Sequence, residues 1–376
     1  MAPQRTLVYV FVAISLPPSI HFDCNSVYCD SHMEKWQKSL ASSIVSPGEL
    51  REYFDFDPAP LMEVVAKYPM SITRYYLGLI KEIGDPIWLQ CVPDPLEIID
   101  DMQPCDPLDE ERLSPVPGLI HRYPDRVVWL VSSVCAVYCR FCMRKRNIGC
   151  KDNHVSRDRW DQIIGYIREN PQIRDVILSG GDPLLLPDDI LDGILRSLKS
   201  IPHVEIIRIG TRLPVTLPER ITPGLCRMLK GYHPLYVNTH FNHPFEITPE
   251  SALACEMLAD AGIPMGNQTV LLRGVNDNPS IMKRLMQMLL SIRVKPYYIH
   301  QMDLVTGTRH FRTRIENGRR IMEGLRGHTS GLANPHFVID LQGGKGKVSL
   351  DGGYIEKSEN GYIIKNYLNE TVEYNE

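Results

Sequence analysis

A repeated strand-and-helix unit constrains the fold of this chain more than any other feature of its sequence. Apolar, β-branched runs typical of buried strands begin near Arg126, Asp175, Val204, Leu235, Gly266 and Val294. After the first interval, successive starts lie about thirty residues apart, which is the length of one βα unit. Segments of helical period fill the gaps between the strands. The pattern predicts an α/β fold with a parallel sheet.

Helix starts and the number of units refine this prediction. Thr248 before Pro249, and Ser46 before Pro47, place an N-cap hydroxyl directly before a proline, which is favoured at the first helical position. Asp188 is predicted to cap another helix. Six units predict a partial, parallel (βα)6 barrel rather than a full eight-unit barrel, and a doubly wound open sheet is the alternative.

The remaining segments flank this core. Residues 33–115 are predicted to form a helical N-terminal region and a proline-rich connector, residues 116–305 the barrel, and residues 306–376 a C-terminal segment. The apolar run Leu7–Leu16 superficially resembles a signal peptide, but no convincing small-residue cleavage site follows it, and it is too short to span a bilayer. We therefore expect residues 1–32 to form a poorly ordered N-terminal extension.

Three cysteines follow the first predicted strand, Arg126–Ser133, in the segment CAVYCRFC. Cys135, Cys139 and Cys142 therefore lie on the loop at a strand's carboxyl end, where barrel active sites are built. Three thiolates can hold three irons of a [4Fe–4S] cube and leave the fourth iron open, whereas ferredoxins ligate all four. The C-x-x-x-C-x-x-C spacing resembles the signature of the radical S-adenosylmethionine (SAM) enzymes. A zinc site or buried unliganded cysteines are the alternatives.

Composition limits the function classes. The formal net charge of −4 gives no electrostatic reason to expect nucleic acid as a partner. Nothing after the N-terminal run resembles a transmembrane helix, so no membrane partner is expected. The chain has ten cysteines but is not a small, cysteine-dense secreted scaffold. Because a cluster with an open iron also needs a reducing compartment, we expect a cytoplasmic protein.

A glycine pair follows the second predicted strand. The loop consists of Ser179, Gly180, Gly181 and Asp182. Its glycines let the backbone approach a ligand and leave carbonyl groups free to bond an ammonium. One strand after the cysteines, the loop resembles the one that receives the methionine amino group of SAM in the radical SAM enzymes. His240 and Gln268, at later strand ends, are predicted to contact SAM or the cluster, although each residue type is also common as a satisfied core residue.

The last third of the chain carries a second glycine-rich turn. The segment Phe337–Val348, FVIDLQGGKGKV, is predicted to form a strand followed by a turn that bears Lys345 and Lys347. Glycines beside a lysine let its amine reach a cofactor, as a lysine that binds pyridoxal 5′-phosphate (PLP) must. Taken alone, such a turn is more often an ordinary surface loop.

Blocks along most of Tyr68–Val348 resemble the lysine 2,3-aminomutase family, which combines radical SAM chemistry with PLP. They stand in the family's order and include HRYPDR, the cysteine segment, SGGDPLLL, GTRLPVTLPERIT, NTHFNHPFEIT, GNQTVLLRGVNDN and FVID. The resemblance implies an isomerase that moves the α-amino group of L-lysine to the β-carbon and so gives β-lysine. It also implies a [4Fe–4S] cluster, SAM and PLP as cofactors, and an electron donor such as flavodoxin or ferredoxin.

The resemblance assigns roles to individual residues. The three cysteines match the cluster ligands, and Lys347 matches the PLP lysine, which the family places seven residues after the aspartate that is Asp340 here. Arg126, in the YPDR block, is expected on the PLP side. Arg144 matches the residue that pairs with the substrate carboxylate. Asp303 and Asp340 match the carboxylates that hold the ε-ammonium of lysine, whose charge must be compensated inside a barrel.

Several positions depart from the family's pattern. Asn278 stands where several lysine mutases carry a zinc-binding cysteine, and the tail to Glu376 has no cysteine. We therefore predict no zinc, and leave open whether the chain forms a homo-oligomer. Lys345 interrupts an all-glycine run and could compete with Lys347 or tune its pKa. His300 stands where tyrosine is usual.

These departures leave the substrate more open than the reaction class. The same chemistry on another cationic amino acid, or on a lysyl group of a translation factor, is the near alternative. A glutamate 2,3-aminomutase or a non-catalytic iron–sulfur protein is the more distant one.

Overall fold

The computed structural model describes residues 33–99, 103–149, 156–359 and 361–375, so the run Leu7–Leu16 and the expected extension 1–32 lie outside the described residues. The helices are α1 (Lys35–Ala41), α2 (Pro47–Leu50), α3 (Ala59–Lys67), α4 (Arg74–Leu77), α5 (Pro86–Cys91), α6 (Arg157–Glu169), α7 (Asp188–Lys199), α8 (Leu213–Thr216), α9 (Pro223–Lys230), α10 (Pro249–Asp260), α11 (Pro279–Ser291) and α12 (Ile315–Leu325). The strands are β1 (Leu119–Tyr123), β2 (Arg126–Ser132), β3 (Asp175–Gly180), β4 (Ile206–Gly210), β5 (Leu235–Thr239), β6 (Met265–Leu271), β7 (Lys295–Gln301), β8 (His336–Leu341), β9 (Gly346–Ser349), β10 (Ile355–Ser358), β11 (Gly361–Lys365) and β12 (Thr371–Asn375).

One nine-stranded sheet forms the centre of the fold, with β1 to β9 hydrogen-bonded in sequence order. Strands β2 to β8 pair in parallel, and β1 and β9 run antiparallel at the two ends. These ends approach each other, because the Tyr123 hydroxyl of β1 accepts a hydrogen bond from the Lys347 backbone N–H of β9 at 2.8 Å. The sheet therefore curves into a nearly closed barrel. The prediction of a partial parallel barrel is confirmed, and the doubly wound alternative is wrong.

The structure contains one more parallel strand than the six that the sequence predicts. Strand β8 pairs with β7 through Tyr298 and His336, so the strand that precedes the predicted PLP lysine belongs to the barrel sheet. Its start lies beyond the thirty-residue spacing because α12 and a longer loop separate it from β7. Strands β10 to β12 form a separate antiparallel sheet. The division of the chain into domains stays a prediction.

The predicted helix starts are mostly confirmed. The hydroxyls of Ser46 and Thr248 accept hydrogen bonds from the first turns of α2 and α10, each of which has proline at its start. The prediction for Asp188 is wrong by one position, because α7 begins at Asp188 and Pro187 occupies the cap. None of the described helices is long and apolar enough to cross a membrane.

Alternate strand residues face two environments. Trp129 of β2 is fully buried and packs edge-on against Trp160 of α6, with ring centroids 6.2 Å apart. Residues of the other face, such as Ser179, Gln268 and His300, stay partly exposed. Because side chains alternate along a strand, this second set lines the inside of the barrel.

Candidate active site

The three predicted cluster cysteines lie together on the loop after β2, and none of them forms a disulfide. Burial, the charge of Asp182 and the neighbouring thiols raise the pKa of Cys135 well above its usual range. Burial and the nearby Cys139 likewise raise the pKa of Cys142 to about 11. Thiolates at this place therefore need positive charge nearby, and a bound metal centre supplies it by binding them directly. The loop fits an iron–sulfur cluster.

A single-ion site is not seen in this part of the molecule. Within the described ranges, no group of three His, Cys, Asp or Glu side chains converges as the ligands of one metal ion would. A [4Fe–4S] cube places each cysteine on a different iron, so it does not require that convergence.

Arg212 contacts the cysteine loop, although the sequence assigns it no site role beyond its place among the polar residues that follow strand ends. Its Nη1 donates to Cys139 Sγ at 2.7 Å, and its Nη2 donates to Gln90 and Glu246, both at 2.7 Å. The sequence signal was its position directly after β4, at the same barrel edge as the cysteines. Arg212 therefore links the cysteine loop to the N-terminal region.

A buried ion cluster anchors the same loop. Glu97 is fully buried and accepts hydrogen bonds from Arg140 Nη2 and Lys145 Nζ, each at 2.6 Å. Arg140 lies between Cys139 and Cys142, and Lys145 follows three residues after Cys142. Burial lowers the pKa of Lys145 to about 8. Although burial alone would raise the pKa of Glu97, the charge of Arg140 holds it below its usual value. This ion cluster holds the cysteine loop in place.

The two glycines of the SGGD loop pack against the end of β2. A Cβ atom at Gly180 would lie 2.3 Å from the Ser132 carbonyl oxygen, and one at Gly181 would lie 2.3 Å from that of Val134. Gly180 also has a φ of 121°, which side chains disfavour. The close approach of two chain segments is therefore a structural reason for the glycine pair. Their predicted contact with SAM stays a prediction.

The polar residues of this loop bind neighbouring strand ends. Ser179 Oγ accepts a hydrogen bond from Arg144 Nη1 at 3.2 Å. The buried Asp182 carboxylate accepts hydrogen bonds from Thr211 Oγ1 and the Arg212 backbone N–H, both at 2.7 Å. Burial raises the pKa of Asp182 to about 6. Asp182 thus joins the loop after β3 to the loop after β4, and its role in SAM binding stays a prediction.

His240 follows β5, and Gln268 lies in the middle of β6 on the inner face of the barrel. Burial and the positive charges of Arg212 and Arg144 lower the pKa of His240 to about 3, so its imidazole is neutral at pH 7. Arg212 Nε also donates to the His240 backbone carbonyl at 3.2 Å, so His240 lies beside the arginine that contacts Cys139.

A β-hairpin places the predicted PLP lysine opposite a predicted substrate aspartate. Strands β8 and β9 pair Asp340 directly with Lys347. The turn contains Gly343 and Gly344, whose φ angles of 70° and 69° favour glycine. The seven-residue spacing is thus the geometry of a hairpin. Lys347 Nζ pairs with the Asp340 carboxylate and lies 3.3 Å from His300 Nδ1.

The two predicted substrate aspartates differ in their partners. Asp340 also pairs with Arg122 at 3.3 Å, and His300 Nδ1 lies 3.5 Å from it. Burial alone would raise the pKa of Asp340, but the hydrogen bond from His300 and the charge of Lys347 hold it well below its usual range. Asp303 follows β7, and burial and the charge of Asp340 raise its pKa to about 7. Its carboxylate makes no hydrogen bond or ion pair with any described residue.

Polar atoms without partners lie beside Lys347. Arg122 Nε and His300 Nε2 are buried and make no hydrogen bond with the described residues. Such atoms are costly to bury unless a bound group satisfies them. The Tyr298 ring centroid lies 5.2 Å from Lys347 Nζ. The unpaired Arg122 and His300 nitrogens suit an anionic phosphate, and the Tyr298 ring suits an aromatic ring, so these residues fit PLP. Lys345, by contrast, is exposed on the turn.

Arg126 lies at the amino end of β2, and its guanidinium stacks 3.8 Å from the Tyr123 ring centroid. Because the Tyr123 hydroxyl accepts a hydrogen bond from the Lys347 backbone N–H, the described contacts connect Arg126 to the lysine through this tyrosine and not directly. Arg122, four residues earlier, contacts Asp340 directly and was missed. The signal available in the sequence was the HRYPDR block that holds both arginines.

Arg144, the predicted carboxylate ligand, already pairs with a carboxylate that the sequence analysis missed. Its Nε and Nη2 donate to Glu110 at 2.9 and 2.7 Å. Glu110 belongs to the proline-rich segment that the sequence predicts only as a connector. This segment therefore reaches the site and supplies part of it.

Two families match this chain. Residues 129–285 match the Radical SAM superfamily, and residues 322–376 match the family described as Lysine-2,3-aminomutase. Over 354 residues the chain is 50% identical to the L-lysine 2,3-aminomutase of Fusobacterium nucleatum, covering 92% of this chain and 83% of that protein. It is 48% identical over 356 residues to the L-lysine 2,3-aminomutase of Clostridium subterminale, covering 92% and 85%. It is also 49% identical over 340 residues to the glutamate 2,3-aminomutase of Clostridioides difficile, covering 88% and 79%.

Proposed function

The chain belongs to the lysine 2,3-aminomutase family of radical SAM enzymes, and on that premise we propose that it converts L-lysine to β-lysine by moving the α-amino group to the β-carbon. It is an isomerase, and its superfamily implies a [4Fe–4S] cluster and SAM. The observation that carries the substrate assignment is Asp303, a carboxylate at the end of β7 without a cation partner among the described residues. A substrate that brings its own ammonium supplies that partner.

The proposal gives each cofactor its own residues. Cys135, Cys139 and Cys142 hold the cluster, and Lys347 holds PLP, with Arg122 and His300 as polar neighbours. When bound, the cluster and SAM would supply a radical that removes hydrogen, and PLP would supply a conjugated system that stabilises radical character while the amino group moves between the two substrate carbons. The protein's part is to bind and orient the substrate between these groups.

The substrate is held at both of its charged ends. Arg144 binds the α-carboxylate, for which a planar guanidinium fork is better suited than an ammonium. Asp303 and Asp340 bind the ε-ammonium at the opposite side. Asp340 is already surrounded by Lys347, Arg122 and His300, so the charge that the substrate newly compensates is that of Asp303.

The same charges argue against glutamate. Sequence identity does not separate lysine from glutamate mutases, since relatives with both names are about equally similar to this chain. A glutamate side chain would bring a further carboxylate next to Asp303 and Asp340, and this like-charge contact is unfavourable. The charge of the pocket therefore favours a cationic amino acid.

Other parts of the proposal follow from the cluster. An electron donor such as flavodoxin or ferredoxin reduces it, and the cytoplasm provides the reducing compartment that it needs.

We propose no zinc at Asn278, because its side chain caps α11 by accepting a hydrogen bond from the Ser280 backbone at 2.8 Å.

An amino-acid screen tests this function. Anaerobically reconstituted protein, supplied with SAM, PLP and a reductant, should form β-lysine from L-lysine and no β-isomer from L-norleucine or L-glutamate. Cys139→Ala should lose both iron and turnover, whereas Cys105→Ser, which changes an exposed thiol outside the cysteine loop, should keep both. Formation of β-glutamate, or equal turnover of norleucine, would overturn the assignment. If L-arginine turned over faster than L-lysine, the assigned substrate would change to arginine, which is also a cationic amino acid.

A further inference from the structure

The guanidinium of Arg144 has two edges that can each bind a carboxylate, and Glu110 occupies one of them. A guanidinium can form a parallel pair of hydrogen bonds along its Nε/Nη2 edge or along its Nη1/Nη2 edge. Glu110 takes the first edge, with Oε2 at 2.9 Å from Nε and Oε1 at 2.7 Å from Nη2. Nη1 donates one of its two N–H groups to Ser179 Oγ at 3.2 Å. Among the described residues, no partner takes the second N–H of either terminal nitrogen.

Glu110 is held firmly in this position. Its side chain is only 5% exposed, and that of Arg144 is 16% exposed. The backbone carbonyl of Glu110 accepts a hydrogen bond from Ser114 Oγ at 2.7 Å. Further along the same segment, the Pro107 carbonyl bonds the Gly343 backbone N–H at 2.9 Å, in the turn before Lys347. The segment that carries Glu110 therefore spans from the cysteine side of the barrel to the lysine side.

We infer that Glu110 is a positioning residue that holds the Nε/Nη2 edge of Arg144 and thereby presents the Nη1/Nη2 edge to the substrate carboxylate. The inference rests on the proposed function, because it concerns how an amino acid substrate is held. Specificity for an α-carboxylate would then depend on a pair of residues, Arg144 in contact with the substrate and Glu110 behind it.

The opposite interpretation is that Glu110 merely occupies the substrate's place and leaves when substrate arrives. If substrate displaced Glu110 from Arg144, the Glu110 carboxylate would remain buried. The other cation near it is Arg146, whose Nη2 lies 3.7 Å away, farther than the hydrogen-bonded nitrogens of Arg144. Separating a buried carboxylate from its main partner is strongly unfavourable. The two interpretations predict opposite signs for one measurement, since removing a competitor strengthens substrate binding and removing a positioning residue weakens it.

The test is equilibrium binding of L-lysine and of L-lysinamide to protein loaded with cluster, SAM and PLP. Glu110→Gln keeps the shape of the side chain but removes its charge, Glu110→Asp keeps the charge, and Glu111→Gln is the matched control on an exposed neighbour. Binding is followed by the change in PLP absorbance, beside KM, kcat, iron content and PLP content.

We expect Glu110→Gln to raise the Kd and KM for lysine by roughly ten- to a hundred-fold, the range for misplacing a charge-assisted hydrogen bond. The Kd for lysinamide should stay unchanged, because that ligand has no carboxylate for the presented edge. Glu111→Gln should behave as the unsubstituted protein. If Glu110→Gln fails to load its cofactors, the test uses Glu110→Asp instead. For that variant we expect a Kd for lysine between those of the unsubstituted protein and Glu110→Gln, and an unchanged Kd for lysinamide.

Two results would overturn the inference: tighter binding of lysine, or equal losses for lysine and lysinamide, in whichever variant decides. Failure of the proposed function is a separate outcome, because it shows as absent lysine binding in the unsubstituted protein. In that case the same comparison is run with the amino acid that does turn over and its amide.

Discussion

Asp303→Asn probes the electrostatics of the site most directly. Asp303 is buried, and its burial together with the negative charge of Asp340 raises its pKa to about 7. The charges of Lys347 and Arg122 act in the opposite direction but do not outweigh these effects. In the proposed function the substrate's ammonium binds the ionised carboxylate of Asp303, so binding requires Asp303 in its charged form. The affinity for lysine should therefore be present above the pKa of Asp303 and be lost as the pH falls through it.

The size of the effect follows from this pKa. With a pKa of about 7, roughly half of the Asp303 carboxylates are ionised at pH 7 and about one in eleven at pH 6, so the KM for lysine should rise about five-fold over that unit. Between pH 8 and pH 9 the contribution of Asp303 should be nearly constant. Asparagine has the same shape but no charge, and the loss of a charge-assisted hydrogen bond should raise KM about ten- to a hundred-fold at pH 8.

The assay is the ratio of KM values of Asp303→Asn and the unsubstituted protein at pH 6, 7 and 8. Titrations of the substrate's own groups occur with both proteins and cancel in the ratio, which should shrink as the pH falls. L-norleucine, as a competitive inhibitor, should bind both proteins equally because it lacks the distal ammonium. A ratio that does not depend on pH, or an unchanged KM for lysine, would refute the reasoning.

Two further predictions concern the proposed PLP lysine and the ion cluster beside the cysteine loop. Borohydride should fix PLP to Lys347, because this amine faces His300 and Asp340; peptide mapping should find the label unchanged in Lys345→Ala and lost in Lys347→Ala, and a label on Lys345 would contradict the assignment. Glu97→Ala should lower the free energy of unfolding by about 3–5 kcal/mol, since it leaves two buried cations without their carboxylate. Thermal unfolding and iron content measure this effect, with the exposed Glu82→Ala as control, and an unchanged Tm would argue against the ion cluster as an anchor.

Much of the fold was predictable because local patterns encode it. Strand starts at Asp175 and Leu235 were identified from runs of apolar residues, and the start of α10 from Thr248 and Pro249. The position of the cysteine loop followed from its place after β2. In each case the deciding interaction lies within a few residues of the chain, so sequence pattern and turn chemistry are sufficient.

The turn before Lys347 shows where this information becomes incomplete. The glycines indicate a turn, and the seven-residue spacing from Asp340 to Lys347 fits a hairpin, yet the sequence pattern predicts only one strand and a glycine-rich turn. The second strand, β9, forms because β8 offers it a hydrogen-bonding edge within the closed sheet. A short strand of glycine, lysine, valine and serine carries too weak a pattern to be predicted alone.

By itself, the sequence determined the barrel of βα units, the cysteine loop and the family. Only the tertiary structure decided that Glu110 takes one edge of Arg144, that Arg122 reaches Asp340 across the nearly closed barrel, and that Asp303 and Asp340 have opposite pKa shifts. The contacts join residues far apart in the chain, and the pKa shifts depend on burial and on neighbouring charges. Both arise only when the sheet curves and brings its two ends together.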